Sequence, residues 1–328
     1  RAGIVRLLLS YLEDMRAPRA VVHVLSQRDD DEFVRKLLRK VGAEPASGVR
    51  VNLRRMRNVV WLKQRLRRIR WLTDDEQVAL AEAAVCSGLA GSEKLHALRQ
   101  LLELGGPAGR KAAVEAVGDV HGVDANRLVL AALRDADPQV QAAALSQIRA
   151  RGLPGAMATL IDALDSPHEE VVEAARSGLS EFNLQRFLTA FDGLSEEAQQ
   201  HTGELVKKVD VASAQHLAAE LQTPSRVRRL RAIEVILTLG LTAELESDIH
   251  ERLNDPDHMV RVAAAEALSE VPTEPTRRAL REAMLDASVA VRNAAQRALD
   301  EMAIAAPRSP AKIDAGAVGA LAHGALPL

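Results

Sequence analysis

Aromatic side chains are nearly missing from this chain. Phe, Trp and Tyr together make up 2% of its 328 residues, which is low for a single globular core, where rings carry much of the buried area. Cysteine is scarcer still. With Cys86 alone, an internal disulfide and a thiolate metal cluster are both excluded. Cys86 falls on an apolar slot of the helix expected from Thr73, so it reads as a buried structural thiol. No apolar run reaches the roughly 18 residues that a membrane-spanning helix needs, and no signal peptide is visible. A cytoplasmic location is the expectation, with room left for an N-terminal anchor ahead of Arg1. No stretch alternates with a period of two, so no sheet is expected.

What the chain does have is a repeat. It reads Asp255-Pro256-Asp257-His258-Met259-Val260-Arg261-Val262-Ala263-Ala264-Ala265-Glu266-Ala267-Leu268, then Asp286-Ala287-Ser288-Val289-Ala290-Val291-Arg292-Asn293-Ala294-Ala295-Gln296-Arg297-Ala298-Leu299. The step from Val260 to Val291 is 31 residues, and Gly109, Val140 and Val171 repeat it upstream. Arg229, Val78 and Val49 extend the series, and units near Ala198 and Val22 complete it. Such a period signals stacked supersecondary units. Within each unit a capping type stands five residues before the anchor, as Thr73, Asp135, Ser166, Asp255 and Asp286 do. Pro167 and Pro256 come next, where proline suits a helix start. Apolar residues then fall at Val260, Ala263, Ala264, Ala267 and Leu268, one face of a 3.6-residue helix. A second amphipathic segment, such as Met157–Leu164, precedes each cap. The expected fold is all-α: a right-handed α-solenoid of about ten stacked antiparallel helix pairs.

The motif Asp-Pro-x-x-x-Val-Arg-x-Ala-Ala-x-x-Ala-Leu resembles the HEAT-like repeats, in particular the short variety of phycobilisome-lyase-type proteins. The resemblance covers almost the whole chain. Gln141, Val172 and Leu230 depart from it by replacing the Arg, and the first three units are irregular. It implies a solenoid whose second helices line a concave binding side, and it leaves function open, because one fold carries many functions.

Net charge is −2, but the charges are segregated. Residues 1–72 carry 18 Lys and Arg against 7 Asp and Glu, a net +11, and the remainder is −13. From 45 to 73 there are nine basic residues and no acid. The expected organisation is therefore one solenoid over 1–304, basic and irregular over 1–72, regular and acidic over 73–304. An Ala/Pro/Gly-rich flexible tail follows over 305–328.

Candidate chemistry is sparse. Arg54, Arg55, Arg65 and Arg68 in the basic stretch could meet an acidic partner or a polyanion across residues 50–70, with Trp61 and Trp71 stacking nearby. Alternatively the tryptophans fill the core and the arginines face solvent or pair with Asp29, Asp30, Asp31 and Glu32. Glu173, Arg176, Arg231 and Glu234 sit at non-core positions of second helices and are candidates for contacting a protein or peptide. Gly118-Asp119-Val120-His121-Gly122 looks like a metallophosphoesterase element but lacks its companion ligands, and reads as a helix stop and turn. His168-Glu169 and His250-Glu251 resemble the pairs of deoxyhypusine hydroxylase but stand at the wrong place in the repeat. Gly105-Gly106-Pro107-Ala108-Gly109-Arg110-Lys111 lacks the order of a phosphate loop. No catalytic residue, metal or cofactor is expected. The arginines after the anchors, Arg50, Arg110, Arg261 and Arg292, read as a structural ladder. The function expected is a non-enzymatic protein-interaction scaffold. Nucleic-acid or anionic-surface binding through the basic repeats, or a bilin-lyase-like chaperone or enzyme, are the alternatives.

Overall fold

The apolar periods fold into helices throughout. The structure, a computed structural model, describes residues 2–305 and shows twenty α-helices, three short 3-10 turns and no strand among them. Residues 306–328, nearly all of the expected tail, lie outside the described residues. The chain divides into two compact units, Arg1–Glu181 and Phe182–Leu328.

The first unit holds α1 (Ala2–Glu13), α2 (Arg19–Gln27), α3 (Asp31–Val41), α4 (Ser47–Arg54), α5 (Val60–Leu66), α6 (Asp74–Cys86), α7 (Gly91–Leu104), α8 (Pro107–Val117), α9 (Val123–Ala132), α10 (Pro138–Ile148), α11 (Ala156–Ala163) and α12 (Glu169–Gly178). Helices α6, α8, α10 and α12 stack side by side as one layer, while α2, α5, α7 and α9 form the other. The second unit holds α13 (Leu184–Ala190), α14 (Glu196–Val209), α15 (Ser213–Leu221), α16 (Arg226–Thr238), α17 (Glu246–Arg252), α18 (His258–Ala267), α19 (Glu274–Ala283) and α20 (Val289–Ala305). There α14, α16, α18 and α20 make one layer and α15, α17 and α19 the other. Each unit is an α-solenoid built from helix pairs.

Alanine makes this stacking possible. Ala79, Ala83 and Ala84 on α6 and Ala112, Ala113 and Ala116 on α8 are buried where those helices meet. Ala264, Ala265 and Ala267 on α18 do the same against Ala294, Ala295 and Ala298 on α20. Methyl side chains let backbones approach, and Val260, Leu268 and Leu280 fill the remaining volume. Burying each of these larger groups contributes about 1.5–3 kcal/mol.

The cap expectation holds at Thr73 and is corrected at Asp135, Ser166, Asp255 and Asp286, each of which stands two residues ahead of the residue that flanks its helix. Thr73 caps α6 with a full capping box, its hydroxyl accepting from Glu76 N–H while the Glu76 carboxylate accepts from Thr73 N–H. The caps of α10 and α18, however, are Asp137 and Asp257, two residues after the expected Asp135 and Asp255. Pro167 and Pro256 accordingly precede the caps instead of opening the helices. The earlier aspartates have another task. Asp135, Asp255 and Asp286 accept from the N–H two residues on, shaping the turn. They also receive an arginine from the preceding repeat.

That arginine forms the ladder. Arg110 on α8 grips Asp135 with Nε and Nη2 at 2.8 and 2.9 Å, and Arg261 on α18 grips Asp286 at 2.8 and 3.1 Å. The same guanidinium donates Nη1 to its own turn, at Gly105 O for Arg110 and Asp255 O for Arg261. Arg229 on α16 donates Nη2 to Asp255 at 2.9 Å and Nη1 to Thr223 O in its own turn. So Arg229 occupies the Arg slot itself, 32 residues before Arg261. The expected anchor there is off by one, because this unit is one residue longer, and Leu230 replaces nothing. At Gln141 the amide takes over the inner half of the role, donating to Asp135 O.

The N-terminal repeats depart further. Helix α2, expected as a second helix anchored at Val22, lies in the first-helix layer against α5. Both α3 and α4 pack on α6 in its place. Helix α4 is short and held at its ends. A Cβ on Gly48 would stand 2.0 Å from Glu13 O, so only glycine lets α4 meet the end of α1. At the other end Gly88 N–H donates to Leu53 O and Met56 O. Between them the fully buried Asn52 donates to Leu12 O and Asp14 O, and accepts from Ala17 N–H. This side chain satisfies the terminal carbonyls of α1 that no helical partner can reach.

Candidate functional site

The basic stretch divides into tied and free arginines. Arg65 is buried and pairs with Asp31 at 2.6 Å. Arg55 is half-buried and donates to Ala17 O at 2.6 Å and to Asn52 Oδ1. These two hold the chain together. Arg54 and Arg68 are exposed, as are Arg57, Arg67 and Arg70, and none of the five side chains has a partner among the described residues. Of the four acids at 29–32, only Asp31 meets an arginine of the stretch, and Asp29 accepts from Gln64 instead. The tryptophans behave differently from each other. Trp61 is 1% exposed and part of the core, while Trp71 is 87% exposed.

Of the second-helix candidates, Glu173 and Arg176 lie on α12 in the first unit, Arg231 and Glu234 on α16 in the second. On α12, Arg176 is half-buried between Glu169 at 3.0 Å and Glu173 at 3.7 Å. On α16, Arg231 leans away over the Phe191 ring, 5.1 Å from its centroid, and pairs with Asp192. Glu234, one turn on, is exposed and 3.4 Å from Arg231.

Glu234 also lines a groove that the sequence did not disclose. Helices α14 and α16 leave between them a cleft of about 1,080 Å³. Glu196, Glu204, Lys207 and Lys208 line it from α14, Glu234 and Thr238 from α16. Lys207 reaches across and donates to Gly240 O at 3.3 Å. Both charge signs converge there on exposed side chains, above a wall formed by Leu237 and Leu239. The spacing of Glu204, Lys207 and Lys208 on one helical face was legible, but the gap between the helices was not.

No group of three or more His, Cys, Asp and Glu able to hold a metal ion occurs among the described residues. Gly118 ends α8 and Gly122, at φ +116°, precedes α9, so the Gly-Asp-x-His-Gly element is a turn. His168 and His250 lie at the start of α12 and within α17. Cys86 is half-buried, less than expected, and burial, with Glu82 nearby, pushes its thiol up toward the protonated, unreactive form. No helix among the described residues is long and apolar enough to cross a membrane.

A family model described as HEAT repeats matches residues 125–201 and 214–300, together half of the chain. The chain belongs to the HEAT-repeat proteins. Among solved structures it is similar to importin beta, at 15% identity over 92% of this chain and 51% of that one, with a TM-score of 0.36. It is similar also to a chain of a Kap95:Nup1 complex, at 12% identity over 92% of this chain and 49% of that one, TM-score 0.35. A designed armadillo repeat protein matches at 16% identity over 82% of this chain and 99% of that one, TM-score 0.26. The chain thus spans about half the length of importin beta. No curated protein matches it in sequence.

Proposed function

We propose that this protein is a non-enzymatic, cytoplasmic scaffold that holds a protein or peptide on the face of its second helices. HEAT-repeat membership supports a scaffold, since stacked helix pairs present extended binding surfaces. The observation that carries the reading to a place is the α14–α16 groove, where Glu196, Glu204 and Glu234 stand beside Lys207 and Lys208. Mixed charge above an apolar wall suits a protein surface, which is itself of both signs, better than a polyanion. The test is affinity capture with the full chain and with a Glu204→Lys, Lys207→Glu variant, both positions being exposed. A partner bound by the parent and lost by the variant supports the proposal. A partner held equally by both would move the binding face elsewhere.

The free arginines of the N-terminal repeats favour a second reading, contact with an anionic group there.

A further inference from the structure

Helix α2 and the link from α4 to α5 enclose a second groove, of about 670 Å³. Its construction follows from the anchors already described. Asn52 and Arg55 tie α4 to the α1–α2 turn. Gln27 Nε2 on α2 donates to Asn58 O at 3.1 Å and bridges the two walls farther along. The buried side chains of Val22 and Met56 contribute the apolar part of the lining. Around them stand Arg19 and His23 from α2, one turn apart on one helical face, Arg54 from the end of α4 and Arg57 from the link. All four are exposed, and none of the ten lining residues is acidic.

The groove gathers cations and no acid. Many guanidiniums of the chain find carboxylates, as Arg110 does with Asp135, Arg228 with Glu220, Arg261 with Asp286 and Arg297 with Glu266. Arg19, Arg54 and Arg57 have no side-chain partner among the described residues. Three cationic forks held about one cleft repel one another, and an entering carboxylate offsets that repulsion with charge-assisted, often bidentate hydrogen bonds.

We propose that this groove binds a short acidic peptide segment, with Asp or Glu carboxylates on Arg19, Arg54 and Arg57 and an apolar side chain against Val22 and Met56. Two observations select a peptide over a nucleic acid. The lining combines apolar surface with cations, whereas a phosphate backbone asks for a row of cations. The chain beyond residue 72 carries a net −13, beginning at once with Asp74, Asp75 and Glu76 on α6. A long polyanion continuing along the repeats would be repelled there, while a short segment ends before it. The proposal is independent of the α14–α16 groove and stands or falls without it.

The experiment uses the full chain and a fluorescein-labelled oligoglutamate of about six residues interrupted by leucine, followed by anisotropy at low salt. The parent binds, and raising the salt weakens it. Arg54→Glu with Arg57→Glu lowers affinity at least about tenfold, the effect of roughly one lost charge-assisted contact. Arg67→Glu with Arg68→Glu makes the same charge change at exposed, unpaired positions outside the groove and lowers affinity about threefold or less. Arg19→Gln, read alongside, reports on the groove from the α2 side should the double variant lose its helical circular dichroism. Failure of the parent to bind, or equal losses in the two double variants, overturns the proposal. Tighter binding of a single-stranded oligonucleotide, or of vesicles containing phosphatidylserine, through Arg54 and Arg57 overturns it in favour of a phosphate ligand.

Discussion

Arg229 on α16 and Asp255, in the turn before α18, form an ion pair almost shut off from water, with side chains 8% and 1% exposed. Nη2 donates to Oδ1 at 2.9 Å. Nε lies 2.8 Å from Oδ2 with its N–H turned off that line, so this second contact is Coulombic and not a hydrogen bond. Arg252 stands 3.9 Å from the same carboxylate. One residue on one repeat thus fastens the turn that opens the next.

Breaking this pair from one side strands a charge. Asp255→Ala should lower stability by about 3–5 kcal/mol, because Arg229 stays buried without its counter-ion. Asp255→Leu combined with Arg229→Met should recover much of the loss. Urea denaturation of the three proteins checks both statements. A double variant no better than the single one would mean that the turn, which Asp255 shapes through Asp257 N–H, matters more than the charge.

The neighbouring pairs set an acid limit. The hydrogen bond from Arg261 holds the Asp286 carboxyl below its ordinary 3.8, against burial. Burial works against ionisation of Asp135 too, yet the bond from Arg110 and the Asp137 N–H keep it lowered. A carboxyl lowered in the folded state stabilises it above the unfolded value and loses that contribution as pH falls through the folded one. The urea midpoint should therefore drop as pH falls below about 4. The drop should be shallower in Asp286→Asn, which is already less stable at neutral pH.

The repeat register makes a sharper test than helix content. Ala264 is wholly buried, so Ala264→Asp should cost at least about 3 kcal/mol, an unpaired charge having no water to meet. Glu266 is exposed and pairs with exposed Arg297. Its replacement by Ala should change stability by about 0.5 kcal/mol or less. Equal denaturation midpoints for the two variants would refute this register.

The two tryptophans should report separately. Trp71→Phe leaves only buried Trp61, and emission should shift to the blue and resist acrylamide quenching. Trp61→Phe leaves an exposed indole at Trp71, red-shifted and readily quenched. Similar quenching of both single-tryptophan proteins would contradict the burial difference.

Asn52 should behave as a clamp. Asn52→Ala leaves the α1 carbonyls of Leu12 and Asp14 without their donor and should cost about 1–3 kcal/mol. Amide exchange should quicken in α1 before it does in α8 or α10.

The regular repeats were legible because each carries its own signal. From α6 onward, Thr73 and the Val-Arg-x-Ala-Ala period fixed helix type and the buried face from local residues alone. What escaped was set by neighbours. Asp135 and Asp137 are both capping types, and only the reach of Arg110 decides which one is left to cap α10. A step of 31 back from Val260 lands on Arg229, and one extra residue in a turn leaves no local trace. The change of layer at α2 depends on α3 and α4 together filling the space beside α6, and no period records that. For the candidate residues, sequence gave chemistry but not company. Arg54 and Arg65 look alike in the chain, and only folding leaves the first free and gives the second to Asp31.

The ladder also bears on how such a protein changes length. Every rung joins a donor in one repeat to an acceptor in the next, 25 or 26 residues along. Excising residues 255–285 would bring Asp286 to the distance from Arg229 that Asp255 now has, and no rung would be orphaned. A cut of half that size would leave one buried guanidinium facing an apolar helix. The rungs thus admit duplication or loss of whole repeats and penalise anything else, so a gene lineage can alter the reach of the scaffold in steps of one complete helix pair.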